Sequence, residues 1–397
     1  MSILGTVILL WLILLLALGL AVLSHRNENE RTKYFLGELT KRIDDAQCPP
    51  ATVIVPVKGP DQGLAENLAA LASLDYPGYE LIVAARSAED IPSGAVPEKA
   101  RTVLAGEGDA ANGEKINNLL AAVAAARAET QLLAFADSDG KVTRGWLRAL
   151  AAALAREKAG AATAYRWHLP KRADFWNRMR SVWDGVIFGG FQGGDNLFAW
   201  GGAMAIRRSD FERFRVADFW RSAISDDYRL SEAVHAAGHQ IVYAPGATVP
   251  CLDHTSGPEF LSWATRQLQV TRAYAPKLWR LAQASHFIYC AAVPAALALA
   301  LSGHRIAIVV LGLQWTLGMM KGHNRAGLAA AALPLYRDWF NLNGWVHTWW
   351  GPAAAWVWLY VLLRSARSDV IEWRGYRYRI RGGKAERLDG PLRDPAA

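Results

Sequence analysis

Residues 131–140 read QLLAFADSDG, an apolar run that stops on two aspartates separated by one serine. Leu132, Leu133, Ala134, Phe135 and Ala136 have the length and apolarity of a strand buried on both faces of a parallel sheet, so Asp137 and Asp139 emerge at its carboxyl end. In open α/β sheets that is where ligands bind. Two acids this close repel, and a hard divalent cation, such as the magnesium or manganese of a nucleotide-diphosphate complex, relieves the repulsion. An Asp-Ser-Asp-Gly turn capping the next helix is the other reading of the same letters, because turns favour Asp, Ser and Gly for local reasons.

The surrounding chain repeats the strand-and-helix pattern. Residues 52–57 (TVIVPV) read as a strand, Lys58-Gly59-Pro60 as a turn, and 64–74 as a helix ended by Asp75-Tyr76-Pro77-Gly78. Strands at 80–85 and 101–104 and a helix at 114–127 lead to the opening strand; a helix at 143–156 and a strand at 160–165 follow it. This alternation predicts an α/β, Rossmann-like doubly wound sheet with right-handed crossovers. Residues 203–206 form a further strand in a stretch crowded with Gly189, Gly190, Gly193, Gly194, Gly201 and Gly202, where backbone can approach a ligand. Ile224-Ser225-Asp226-Asp227 opens a helix that stops at Gly238. A cap by Ser225 or Asp226 and the helix dipole explain acids there, but do not require two. A strand at 240–243 precedes the loop Asp253-His254-Thr255.

The ends of the chain belong to a membrane. Residues 1–23, MSILGTVILLWLILLLALGLAVL, carry no charge over a length that spans a bilayer. A cleaved signal peptide is the rival, but there is no basic segment before the apolar core and no clean small-x-small cleavage site. His25, Arg26, Arg31, Lys33, Lys41 and Arg42 follow, which by the positive-inside rule directs the next domain to the cytoplasm. Residues 174–191 carry apolar side chains at helical spacing among Arg172, Arg178 and Arg180, the pattern of a membrane-surface helix or of an ordinary buried one. Residues 259–274 are amphipathic. Spans at 281–301, 306–320 and 344–363 then predict about three C-terminal membrane helices, the last rich in interfacial tryptophan. Three crossings leave the tail outside, whereas its basic WRGYRYRIRGGK directs it inside; the two rules conflict.

The expected division is an anchor at 1–25, a catalytic domain at 48–256, an interfacial helix at 257–280, membrane and interfacial helices at 281–365 and a basic tail at 366–397. The net charge of +8 comes without helix-turn-helix, zinc-finger or RNA-binding patterns, so nucleic acid is not the expected partner. Basic residues beside spans meet anionic headgroups instead. Cys48, Cys251 and Cys290 are too scattered for a disulfide framework or a zinc motif. Neither G-x-S-x-G nor H-E-x-x-H is present, which argues against a hydrolase.

Seven stretches in order carry a more specific signal: VIVPVKGPDQGLAENLAAL from Val53, DYPGYELIV from Asp75, KINNL at 115–119, DSDG at 137–140, GGAMAIRR at 201–208, SDDYRL at 225–230 and WRGYRYRI at 373–380. Together they resemble the membrane-bound glycosyltransferases of the GT-A fold, and within them the ceramide glucosyltransferase family and its bacterial relatives. The resemblance implies an inverting transfer of a sugar, most often glucose from UDP-glucose, to the hydroxyl of a membrane lipid such as ceramide. It gives Asp137 and Asp139 a divalent metal (Mg2+ or Mn2+), Asp227 the role of base, and Lys58, Glu89, Asp90, Lys115, Asn118, Asp137, Arg266, Gln269 and Arg272 to the donor. Asp195, Gly201, Gly202, Asp226 and His254 fall in its acceptor region. Lys115 as a solvated helix-start residue and Asn118 on a polar helix face are the ordinary readings of those two.

Two departures matter. Where many relatives have an acid for the nucleotide base after the second strand, this chain has Ala85-Arg86-Ser87-Ala88, leaving Glu89 or Asp90 to serve. An interfacial Arg/Gln-x-x-Arg-Trp signature is here Arg266-Gln267-Leu268-Gln269-Val270, and glutamine cannot replace a guanidinium that pairs a diphosphate, so Arg266 or Arg272 is expected to carry that load. The alternatives are a processive polysaccharide synthase, for which three or four spans are few, and a catalytically inactive membrane protein that binds a nucleotide sugar.

Overall fold

Residues 51–56 and 132–136 are almost wholly apolar and buried, and in the computed structural model they are central strands of a seven-stranded sheet. The structure describes residues 2–373 and 375–388, so Arg374 and the end of the basic tail lie outside the described residues. Nine strands make up the body of the sheet unit: β1 (Ala51–Pro56), β2 (Tyr79–Ala85), β3 (Ala100–Leu104), β4 (Leu132–Ala136), β5 (Ala159–Thr163), β6 (Arg166–His168), β7 (Ala203–Arg207), β8 (Gln240–Tyr243) and β9 (Val249–Cys251). The main sheet has the order β3-β2-β1-β4-β7-β5-β8. β1 pairs parallel with β2 and β4, so helices must cover both faces, and the burial of Val53, Ile54, Leu133 and Ala134 follows.

The expected doubly wound sheet needs one correction. β7 enters antiparallel between β4 and β5, making the sheet mixed. The register pairs Ala136 with Ala203, which brings the start of β7, with Gly201 and Gly202, beside the carboxyl end of β4 where Asp137 stands. The chain reverses direction of growth between β1 and β4, and the crevice at such a reversal is where ligands of α/β sheets bind. A separate ladder, β6 with β9, sets His168 opposite Cys251. β10 (Val370–Trp373), β11 (Tyr376–Arg381) and β12 (Lys384–Arg387) form an antiparallel sheet that belongs to the same unit, which comprises residues 34–171, 190–254 and those from 370 onward.

The other unit is helical and comprises residues up to 33, 172–189 and 255–369. Its helix Phe175–Phe188 begins at an Asp174 cap whose carboxylate accepts from the Asn177 amide. Of the two readings of this stretch, the buried one describes most of it: Trp183 stacks on Trp358 with ring centroids 4.3 Å apart, and Met179 and Val182 pack with Phe260, Ala264 and Val361. Phe175 and Trp176 alone keep large exposed faces. Two helices, Ile3–Glu38 and Pro276–Leu301, are long and apolar enough to cross a bilayer. About three such C-terminal helices were expected, and among the described residues there is one. Helix Ile306–Ala332 carries Lys321, His323, Asn324 and Arg325 in its second half, and Glu28 binds both Arg31 and Arg325 at 2.9 Å. Helix Trp345–Ser365 is rich in tryptophan and turns Val346, Trp358 and Leu362 into a protein core.

Candidate active site

Four acids and one lysine converge at the carboxyl end of β4. Lys115 is the second residue of helix Glu114–Ala125, which starts at Gly113 so close to Ile224 that a Cβ there would lie 3.0 Å from the Ile224 Cα. From this position the Lys115 ammonium sits 2.8 Å from Asp137 and 3.0 Å from Asp226. Burial by itself would lower the lysine pKa, but Asp137, Asp226 and Asp227 outweigh it and hold the ammonium well above its ordinary value. The solvated reading of Lys115 therefore does not describe it.

Asp226 and Asp227 open helix Asp226–Ala236 under the cap of Ser225, whose Oγ accepts from the Tyr228 amide at 3.2 Å. Asp226 is 2% exposed, and burial pushes its carboxyl up to about 6, Lys115 opposing and Asp227 adding to the rise. Asp227 stays partly accessible; its Oδ1 accepts from Ser225 Oγ and from the Tyr228 amide at 2.8 Å, and its Oδ2 accepts from the Gly201 amide at 3.4 Å. A side chain at Gly201 would press on the cluster, since a Cβ would stand 2.8 Å from Asp226 Oδ2 and 2.9 Å from Lys115 Nζ. A Cβ on Gly202 would fall into the Trp200 ring.

On the other side of Asp137, Ser138 is fixed twice: its carbonyl accepts from Asn67 at 2.9 Å and its hydroxyl donates to Asp61. This turn aims Asp139 inward. Burial, then the neighbouring Asp137, push the Asp139 carboxyl up to about 6 against the pull of Arg166. Its Oδ1 is buried and accepts no hydrogen bond among the described residues. An inward carboxylate oxygen beside a second carboxylate is an oxygen-donor set suited to a hard divalent cation, so Asp137 and Asp139 fit the metal expected of them. Arg166, Asp61 and Asp253 complete the surroundings of Asp139 and were not singled out from sequence as parts of a site. Next to them His168, Cys251 and Asp253 hold their ligand atoms within 4.8 Å of one another, His168 to Asp253 being 3.5 Å.

The remaining expected residues divide. Lys58, at the end of β1, pairs with Glu114 at 2.7 Å, adjacent to Lys115. Asn118, one turn after Lys115, is buried, so a polar helix face is not its place; its Oδ1 accepts no hydrogen bond among the described residues. Glu89 and Asp90 occupy a short 3-10 turn, Ala88–Asp90, where Asp90 caps Ser87 and its carbonyl accepts from the Gly59 amide at 2.7 Å. The side chain at the carboxyl end of β2 is Arg86, which donates to Tyr376 Oη at 2.7 Å and to Glu107. Asp195 accepts from the Ile241 amide and from His235, and His254 is an exposed loop residue joined through its backbone to Gln62. Arg266, Gln269 and Arg272 lie on helix Gly257–Tyr274 of the helical unit. There Arg272 donates to the carbonyls of Ser365, Ala366 and Ser368 at 3.0–3.3 Å, capping the end of helix Trp345–Ser365, and Gln269 reaches Ser368 at 3.4 Å.

No protein of curated function matches the chain in sequence. Among solved structures, the mannosyltransferase PcManGT from Pyrobaculum calidifontis, in complex with GDP-Man and Mn2+, superposes with a TM-score of 0.51 at 19% identity, over 88% of this chain and 99% of that one. GalNAc-T7 with UDP, GalNAc and Mn2+ is a looser match, TM-score 0.39 at 12% identity over 58% of this chain and 49% of its own. The first likeness shows the fold. The family model for glycosyl transferase family 21 matches residues 9–386, nearly the whole sequence, and the chain therefore belongs to that family of GT-A-fold glycosyltransferases, the ceramide glucosyltransferase family.

Proposed function

We propose that this glycosyltransferase moves a sugar, with glucose from UDP-glucose as the first candidate, onto a hydroxyl of a membrane lipid with inversion at the anomeric carbon. The observation that carries the reading is the cluster of Lys115 with Asp137, Asp139, Asp226 and Asp227 at the sheet's reversal point. Asp137 and Asp139 would hold Mg2+ or Mn2+, which when bound supplies positive charge to the departing diphosphate. Lys115 offers a second positive charge beside it. Asp226 is buried against Lys115 and serves to hold that ammonium, whereas Asp227 keeps the accessible carboxylate.

Asp227 is accordingly the base. It takes the proton of the acceptor hydroxyl as the acceptor oxygen bonds to the anomeric carbon; the bond from that carbon to the phosphate oxygen breaks, and its electrons leave with the nucleoside diphosphate. The Gly201 amide and the Ser225 hydroxyl orient the carboxylate. An anchor formed by the uncharged first part of helix Ile3–Glu38, with basic residues following that part, supports a catalytic unit facing the cytoplasm.

The test is to incubate the purified full-length protein with Mn2+ or Mg2+, UDP-glucose, other UDP-sugars and GDP-mannose over a panel of ceramide, diacylglycerol, sterol and hopanoid acceptors. Product with a lipid in the parent and its loss by about 10²–10⁴-fold in Asp227→Asn, with nucleotide affinity kept, is the expected result. Transfer surviving in Asp227→Asn would refute the assignment of the base. Tight metal-dependent nucleotide binding without transfer to any acceptor would favour a binding protein.

A further inference from the structure

Among the described residues, one group of three side chains has its ligand atoms close enough together to share a metal ion: His168, Cys251 and Asp253, within 4.8 Å of one another. The ladder of β6 with β9 puts them there. Its register sets His168 opposite Cys251, which in a parallel pair turns both side chains to the same face. Backbone hydrogen bonds on either side, from the Val249 amide to the Tyr165 carbonyl at 3.0 Å and from the Leu169 amide to the Cys251 carbonyl at 2.8 Å, hold that register. Asp253 follows Cys251 by two residues, the strand period that returns a side chain to the same side. Its carboxylate stands 3.5 Å from His168 Nδ1.

All three are withdrawn from water: Cys251 is 0% exposed, His168 2% and the Asp253 side chain 15%. The ladder is also fixed to the turn that carries Asp139. The Lys141 amide donates to the Pro250 carbonyl at 3.1 Å, and Gly140 approaches β9 so closely that a Cβ there would stand 2.6 Å from Val249 Cγ1. Asp253 therefore adds its negative charge to those of Asp137 and Asp61 around Asp139, with Arg166 as the cation that opposes them there. A divalent ion at Asp253 relieves that excess of carboxylates.

The chemistry of the three ligands selects the ion. A thiolate is a soft donor, poorly suited to magnesium or manganese, whereas an imidazole nitrogen, a thiolate and a carboxylate together are ligands of zinc. Tetrahedral bonds of about 2.0–2.3 Å set ligand atoms roughly 3.3–3.8 Å apart, so the His168–Asp253 separation already fits and the others need to close by no more than about 1 Å. We propose that His168, Cys251 and Asp253 form a zinc site, separate from the hard-ion pair Asp137 and Asp139, that ties β6 to β9 and neutralises Asp253 beside the catalytic cluster. His168 binds as the neutral imidazole through one ring nitrogen, Cys251 gives its thiol proton to solvent as the Zn–S bond forms, and Asp253 binds as the carboxylate. Water takes the fourth tetrahedral position. Nothing in this site depends on which sugar or acceptor is used.

The experiment takes the full-length protein purified in detergent without chelator, equilibrates it with equimolar Zn2+ and an excess of Mn2+, removes free metal and measures what stays bound by elemental mass spectrometry. The parent is expected to keep about one zinc per chain. In Cys251→Ala and in His168→Ala the zinc affinity is expected to fall more than about a hundredfold, beyond the loss that follows removal of an outer partner of a ligand, while Asp137→Asn keeps its zinc. Because a ligand variant that unfolds also loses zinc, Co2+ in place of zinc supplies a readout on the unaltered chain: a thiolate-to-cobalt charge-transfer band in the near ultraviolet, which a site made only of oxygen ligands does not give. A parent that retains no zinc, zinc kept in Cys251→Ala, zinc lost in Asp137→Asn, or a Co2+ spectrum without the thiolate band would each overturn the inference. Zinc bound with this pattern by a chain that transfers no sugar would remove the proposed function and leave the zinc site standing.

Discussion

Replacing Lys115 by methionine tests how the charge cluster is held together. The substitution keeps most of the side-chain volume and removes an ammonium 2.8 Å from Asp137 and 3.0 Å from Asp226. Breaking a buried pair from one side costs about 3–5 kcal/mol, because the partner is left charged without a counter-ion. Asp226, already raised to about 6 in the presence of the lysine, is pushed higher once its main opposing influence is gone. It then escapes part of the penalty by binding a proton, so a loss near the lower limit, about 3 kcal/mol, is expected at neutral pH. That corresponds to a fall in melting temperature of about 6–12 °C for a unit of this size.

The sign of the pH dependence follows. A carboxyl whose folded pKa is raised above its unfolded value costs stability at high pH, and the cost disappears as pH falls through the folded and then the unfolded pKa. The Lys115→Met deficit is therefore largest near pH 8 and shrinks towards pH 5. Millimolar Mn2+ should also stabilise the variant more than the parent, since the cation replaces a lost positive charge beside Asp137. Thermal melts of both proteins at three pH values, with and without Mn2+, measure all of this. A variant within 0.5 kcal/mol of the parent (an order-of-magnitude threshold set by ordinary surface changes), or one whose deficit grows on acidification, would refute the reasoning.

Three further outcomes are expected. Gly201→Ala forces a methyl group to within 2.8 Å of Asp226 and 2.9 Å of Lys115, and should cost about 1–3 kcal/mol of stability and most of the transferase activity, read by melting and by sugar transfer. Arg272→Ala uncaps three carbonyls at the end of helix Trp345–Ser365 and should lower stability by about 1–3 kcal/mol while nucleotide affinity, measured by calorimetry, stays within twofold. Metal removal by EDTA should abolish nucleotide binding at pH 7.5. With the metal gone, Asp139, raised to about 6, should make the protein more stable as pH falls from 8 towards 5, which melting curves in chelator reveal as a melting temperature that falls with rising pH.

Local pattern and distant pairing were unequally legible. The apolar run before Asp137 and the helix opened by Ser225 each announce themselves within ten residues, through burial on both faces and through capping chemistry. The mixed character of the sheet does not, because the letters AMAIR say strand without saying which neighbour β7 meets or in which direction. Local sequence leaves Lys115 open between a donor-pocket residue and a solvated helix start for the same reason: its partners Asp137 and Asp226 are brought to it by strand order, not by spacing. Helix Trp345–Ser365 suits an interfacial belt as well as a crossing, because tryptophan serves at a membrane interface and in a core alike; the stacking of Trp358 on Trp183 shows that one face of it packs on protein. Arg86 was noticed only as the absence of an acid. Its hydrogen bond to Tyr376 is set by the fold, which brings the two together across 290 residues.

The sheet unit is assembled from segments interleaved with helical ones, and this bears on how the protein is made. Its segments, 34–171, 190–254 and from 370 onward, are separated in the chain by helical stretches. During translation, residue 254 emerges long before Ala385, whose amide donates to the Ser222 carbonyl, and at elongation rates of about 5–20 residues per second the interval is roughly 7–26 s. For that time the ribosome displays the strands of the main sheet without the C-terminal ones, while the apolar helix Pro276–Leu301 is being made. Until those strands are made, Arg86 and the Ser222 carbonyl have water in place of Tyr376 and the Ala385 amide.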